Sequence, residues 1–185
     1  MSLLPIYTYG APVLRKKAKP VQAAGDDILR LALNMFETMH KAQGIGLAAT
    51  QVGRLERVLV VDLTGMDGYD GFRPLTVINP EIVRAEGRWT MEEGCLSIPD
   101  VRDDVDRAET ITVRCRDANF DQVEITASDI LGRVLLHEID HLNGVLFIDH
   151  LNDARKASHA EALRRIEKGE VEVGYPIVTA QNQMV

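Results

Sequence analysis

The five residues His137-Glu138-Ile139-Asp140-His141 constrain this chain more than any other feature, because they require a helix with one face for a cation and another for a core. The spacing predicts that helix from near Ser128, with Leu131, Val134, Leu135 and Leu142 as its apolar stripe and Asn143-Gly144 as a left-handed C-terminus. Four residues advance a helix by about 6 Å and about 400°, so His137 and His141 project from one face roughly one turn apart. Glu138 stands about 100° round from His137, where a general base can act on water beside a metal without ligating it. A chain with five histidines is expected to contain HExxH by chance only ~0.01 times.

A catalytic metal takes three protein ligands and keeps one position open, so the third ligand, a carboxylate, imidazole or thiolate, comes from elsewhere. Cys95 lies in Glu92-Glu93-Gly94-Cys95-Leu96-Ser97-Ile98-Pro99, where a ligand and a buried core cysteine are both compatible with the spacing. A third segment, Gly44-Ile45-Gly46-Leu47-Ala48-Ala49-Thr50-Gln51-Val52-Gly53, is small enough for another backbone to approach, and Gln51 offers an amide donor to a developing oxyanion. It lacks the Lys-Ser/Thr ending of a phosphate loop and the GxGxxG spacing of a dinucleotide site.

Elsewhere, residues 26–42 place Ile28, Ala32, Met35, Phe36 and Met39 at helical spacing, with Gly25 or Asp26 as N-cap and Gly44 as the stop. RVLVVDL (57–63) and LTVINP (75–80) read as strands, and TITVRCR (110–116) with FDQVEIT as an antiparallel hairpin with Ile111, Val113 and Cys115 inward. Cys115 then acts as a small hydrophobe. A third helix is expected over about 152–168, and residues 170–185 read as an added strand or a loose tail.

At 185 residues, with 45% hydrophobic and 26% charged residues, the chain fits one folded catalytic domain over 1–169, followed by the 170–185 tail. A net charge of −7 and 5% aromatic residues argue against a dedicated nucleic-acid binder. No apolar run approaches the roughly 18 residues of a membrane span, and no targeting pattern opens the chain, so a cytoplasmic location is expected.

GIGLAATQVG, EGCLSIP and HEIDHLNG, in this order, resemble the three signature motifs of the peptide deformylases, and the likeness runs from about Leu4 through the third helix. The resemblance implies an α+β fold in which antiparallel β-sheets surround a central HExxH helix, with an N-terminal and a C-terminal helix. It implies one divalent metal held by Cys95, His137 and His141, with Fe(II) favoured in the cell and Zn, Ni or Co able to substitute. It further implies removal of formate from the N-formylmethionine of nascent peptides. Glu138 then serves as base and acid, and Gln51 and the Leu96 N–H as oxyanion donors. Ile45, Ile130 and Val134 form an apolar pocket for the methionine side chain, a role that competes with plain core packing. Backbone groups of Ile45, Gly46 and Gly94 pair with the substrate chain. Leu136 departs from the family pattern, which has glutamine before the first histidine.

The rival enzymatic reading is an HExxH zinc endopeptidase, which takes its third ligand from Glu or His. The non-enzymatic rival is a metal-stabilised structural or binding domain, which needs a fourth ligand from His40, His150, His159, Cys115 or a carboxylate. Arg155, Lys156, Arg164, Arg165 and Lys168 on the third helix are either a solvated face or a docking surface for the anionic ribosome.

Overall fold

The computed structural model describes residues 2–181. Its organising element is the strand run Val58–Val61, in which all four side chains are buried. Alternate residues of a strand point to opposite faces, so a fully apolar strand must be covered on both sides. Here Val58 and Val60 pack with Leu31, Met35 and Met39 of helix α1 (Asp26–Lys41). Leu59 and Val61 pack with Leu135, Ile139 and Leu142 of helix α2 (Asp129–Leu142).

The strands in chain order are β1 (Ile6–Tyr7), β2 (Gly46–Ala48), β3 (Val58–Val61), β4 (Leu75–Glu86), β5 (Trp89–Cys95), β6 (Ile98–Arg107), β7 (Thr110–Arg116), β8 (Gln122–Ala127) and β9 (Ile177–Val178). A five-stranded antiparallel sheet runs β2-β3-β4-β7-β8, β5 and β6 form a separate hairpin, and β1 pairs in parallel with β9. The fold is α+β, with antiparallel strands around the HExxH helix, as expected. The second hairpin and its inward Ile111, Val113 and Cys115 also match the expectation.

Several local features differ from the sequence reading. Helix α1 ends at Lys41, and Gln43, not Gly44, takes the left-handed turn at φ 57°. Gly44 is instead needed for space, since a Cβ there would stand 2.7 Å from Leu96 Cδ1. Strand β4 continues past Pro80 to Glu86 through two register shifts, the first of them at Asn79 and Pro80. Asn79, at φ 52°, bridges both backbone groups of Val21, by accepting from its N–H at 2.8 Å and donating to its carbonyl at 2.7 Å. Strands β5 and β6 carry no apolar alternation in the sequence, because their inward positions include Glu93, Asp103 and Arg107.

The expected third helix divides into α3 (Asp153–Ser158) and α4 (Ala160–Glu167). At the junction His159 meets Asp103 at 2.8 Å, and Arg155 reaches the same carboxylate at 2.6 Å. Leu163 and Ile166 of α4 are buried against the hairpin residues Ile98, Val101 and Val105. The tail supplies the added strand, with Ile177 opposite Ile6 and Val178 opposite Tyr7. Residues 182–185 of that tail lie outside the described residues.

The end of α2 shows how closely the helix is seated. Gly144 has φ 77°, and a Cβ there would lie 2.7 Å from the Arg15 carbonyl oxygen. Gly144→Ala is therefore expected to cost about 1–3 kcal/mol through left-handed strain and backbone crowding, read as a lower urea midpoint at unchanged m-value.

Candidate active site

Helix α2 delivers His137 and His141 with their rings 4.8 Å apart, while the β5–β6 hairpin delivers Cys95 at the end of its first strand. Cys95 Sγ lies 3.2 Å from His141 Nε2, which lies 3.2 Å from His137 Nε2. All three atoms fall within 4.8 Å of one another.

The donor set fits a metal ion. His137 Nδ1 is 2.9 Å from Glu93 Oε2, and a carboxylate only accepts, so Nδ1 carries the proton and Nε2 presents its lone pair to the cluster. Adjacent N and S ligands on one tetrahedral ion stand roughly 3.3–3.6 Å apart, close to the separations here. Borderline-soft thiolate and imidazole donors suit Zn, Fe(II), Co or Ni.

Burial tunes the acid–base groups. Glu138, 4% exposed, is pushed up to about 7 by burial; Glu93 adds to the rise, while His137 and Arg107 oppose it. Its Oε2 has no protein hydrogen-bond partner among the described residues. Burial holds His141 well below its ordinary value, and neighbouring His137 adds to the effect.

Glu93 anchors this arrangement. Arg107 Nε and Nη2 donate to it at 2.6 and 3.0 Å, and Arg133 Nη1 donates at 2.9 Å. Burial resists ionisation of Glu93, but the His137 and Arg107 hydrogen bonds and the Arg107 charge hold its carboxyl far below the usual range. Arg107 also donates to Asp140 at 2.6 Å, and Arg133 donates to the carbonyls of Val105 and Trp89.

The third segment reaches the same place. Gln51 is 1% exposed; its Oε1 accepts from the Ala48 N–H at 2.8 Å, and its Nε2 lies 3.2 Å from Ser97 Oγ and 3.6 Å from Cys95 Sγ. Gly46 permits the approach of β2 to the helix, because a Cβ there would stand 2.6 Å from Glu138 Oε1. A cavity of about 660 Å³ opens beside these groups. Every residue expected at the site borders it except His141, which is buried behind: Ile45, Gly46, Gln51, Gly94, Cys95, Leu96, Ile130, Val134, His137 and Glu138.

Leu136 is not part of that cavity. It packs in the apolar cluster around α2 and β3, so the departure from glutamine is accommodated in the core. Sequence reasoning missed Glu93, Arg107, Arg133, Ser97 and the rim formed by residues 172–175. Glu93 was visible beside Cys95 but indistinguishable from Glu92, whereas the arginines carry no spacing signal.

An HExxH helix facing a cysteine sulfur at a hairpin end, with a buried carboxyl and an open cleft, defines the class of metal-dependent hydrolases. The polypeptide deformylase family matches residues 3–157. A peptide deformylase of Salinibacter ruber is 49% identical over 191 aligned positions, covering 99% of this chain and 98% of the relative. The crystal structure of a peptide deformylase from Legionella pneumophila superposes with TM-score 0.84 at 38% identity, covering 91% of this chain and 98% of that one. That of the Ehrlichia chaffeensis enzyme in complex with actinonin gives 0.83 at 37% identity, covering 93% and 100%. The chain belongs to the polypeptide deformylase family.

Removing one member of the buried ion network is expected to be costly. Arg107→Met leaves Asp140 without its guanidinium and Glu93 with Arg133 alone among cations, and should lower stability by about 3–5 kcal/mol in urea unfolding.

Proposed function

We propose that this protein hydrolyses the formyl group from the N-formylmethionine of newly made polypeptides, releasing formate, with Cys95, His137 and His141 holding one divalent metal. The observation that carries this reading is the convergence of one cysteine sulfur and two imidazoles beside the buried Glu138, in a chain of the deformylase family. When bound, the cation supplies Lewis-acid chemistry that lowers the pKa of water beside the formyl carbon. Fe(II) is the proposed cellular metal, with Zn, Ni or Co as substitutes.

Glu138 takes the proton of the attacking water and returns it to the departing amine; a carboxyl raised toward neutrality suits both transfers. Gln51 Nε2 and the Leu96 N–H donate to the oxygen that becomes negative, and Gln51 is held for this by its bond from Ala48. Ile45, Ile130 and Val134 receive the methionine side chain. β2 is an edge strand of its sheet, which supports pairing of the peptide main chain with Ile45 and Gly46 on one side and Gly94 on the other.

The organisation proposed is one catalytic unit over 1–169, bordered by the tail, in the cytoplasm, where formylated chains emerge. Arg155 and Arg164 are engaged by Asp103 and Glu161, so ribosome docking through α3 and α4 rests on Lys156, Arg165 and Lys168.

The test is formate release from formyl-Met-Ala-Ser by metal-replete protein, with the acetyl peptide as control. Release from the formyl peptide alone is expected, and Glu138→Gln should lower it by about 10²–10⁴ with metal content retained. Absence of release from metal-replete protein overturns the reading. Cys95→Ala should abolish metal occupancy, whereas a site whose third ligand is Glu or His, as in the endopeptidase alternative, would keep its metal.

A further inference from the structure

The hairpin tip that carries Cys95 is only two residues long, with Cys95 paired to Ile98 across Leu96 and Ser97. Three neighbours hold it. The Tyr9 N–H donates to the Ser97 carbonyl at 2.8 Å, Gln51 Nε2 lies 3.2 Å from Ser97 Oγ, and the Tyr175 hydroxyl donates to the Leu96 carbonyl at 2.9 Å. The third comes from the tail, beyond the residues 3–157 matched by the family.

Tyr175 reaches that position through the parallel pairing of β9 with β1. Ile6 N–H donates to the Pro176 carbonyl at 2.9 Å and Thr8 N–H to the Val178 carbonyl at 3.0 Å, so the chain on both sides of the pair is fixed to the body. Residues 172–175 then line the cavity beside Cys95 and Glu138, and the Tyr175 ring packs against the apolar cluster that also takes in Leu96. Burial pushes the phenol up to about 12, so it is a donor throughout the neutral range.

We infer that Tyr175 is a positioning residue for hydrolysis, one that fixes the orientation of Leu96 and so aims its N–H at the oxyanion. This rests on the deformylase reading above. The Leu96 carbonyl belongs to the peptide after the residue and its N–H to the peptide before it, so the phenol restrains Leu96 from the far side while Cys95, with the metal, restrains it from the near side. The tail is thereby part of the catalytic apparatus, and its contribution appears in turnover more than in substrate affinity.

The experiment compares the cobalt-loaded full chain with its Tyr175→Phe variant on formyl-Met-Ala-Ser, measuring kcat, KM, the thiolate-to-cobalt charge-transfer band and the thermal midpoint. Phenylalanine keeps the packing and removes only the donor. The expected result is a kcat lowered about 5- to 20-fold, with KM within twofold, band position unchanged and midpoint nearly unchanged. An unchanged kcat overturns the inference, as does a rise in KM alone, which makes the residue a binding wall, or a shifted cobalt band, which places its effect at the thiolate. In Tyr175→Leu, which also removes packing, the kcat loss should be at least as large; recovery of kcat there would overturn the inference too. If the unmodified holoenzyme releases no formate, the functional reading itself fails, an outcome distinct from a failure confined to the variants.

Discussion

The buried carboxylate of Glu93 is the interaction on which the rest of this molecule depends. It accepts from Arg107 on β6, from Arg133 on α2 and from His137 on the same helix, and so joins the β5–β6 hairpin to the HExxH helix at one point. A charge in so little water is tolerable only when its hydrogen-bonding capacity is filled, which makes the relative placement of hairpin and helix specific. The same bond that fills it sets the tautomer of His137 and turns Nε2 toward Cys95.

From that junction the site divides its work among elements of different stiffness. The helix sets the two imidazoles by its pitch alone, and its packing beneath β3 leaves little freedom to rotate. The hairpin end places Cys95 and the Leu96 N–H proposed as a donor, and its tip is held by tertiary contacts from Tyr9, Gln51 and Tyr175. The edge strand β2 brings Gly46 against Glu138 so closely that no side chain fits between them. The groups that border the cavity are thus held by contacts of the fold itself, the arrangement from which electrostatic stabilisation of the proposed reaction gains most.

Local periodicity made much of this legible in the sequence. Helix α2, its left-handed end at Gly144 and the convergence of His137 and His141 follow from spacing, and the β7–β8 hairpin from strict alternation. Cys95 is singled out as a ligand by its motif's resemblance to a family and not by spacing, because nothing in spacing brings a residue 42 positions before His137 to its side. Strand β5 was hidden because Glu93 points inward, which pattern reading takes for a solvated position. The tail was undecided because two-residue strands such as Ile177–Val178 carry no period, and their pairing with Ile6–Tyr7 spans nearly the whole chain. Sequence patterns therefore record what is periodic, and the supporting contacts of the site are not.

The proposed binding of one catalytic metal by Cys95, His137 and His141 together is tested most directly by X-ray absorption at the metal edge of the zinc- or cobalt-loaded protein. One sulfur and two imidazole nitrogens bound per ion are expected, with the sulfur signal lost in Cys95→Ser. A coordination sphere without sulfur, or one that keeps its sulfur in that variant, would contradict it.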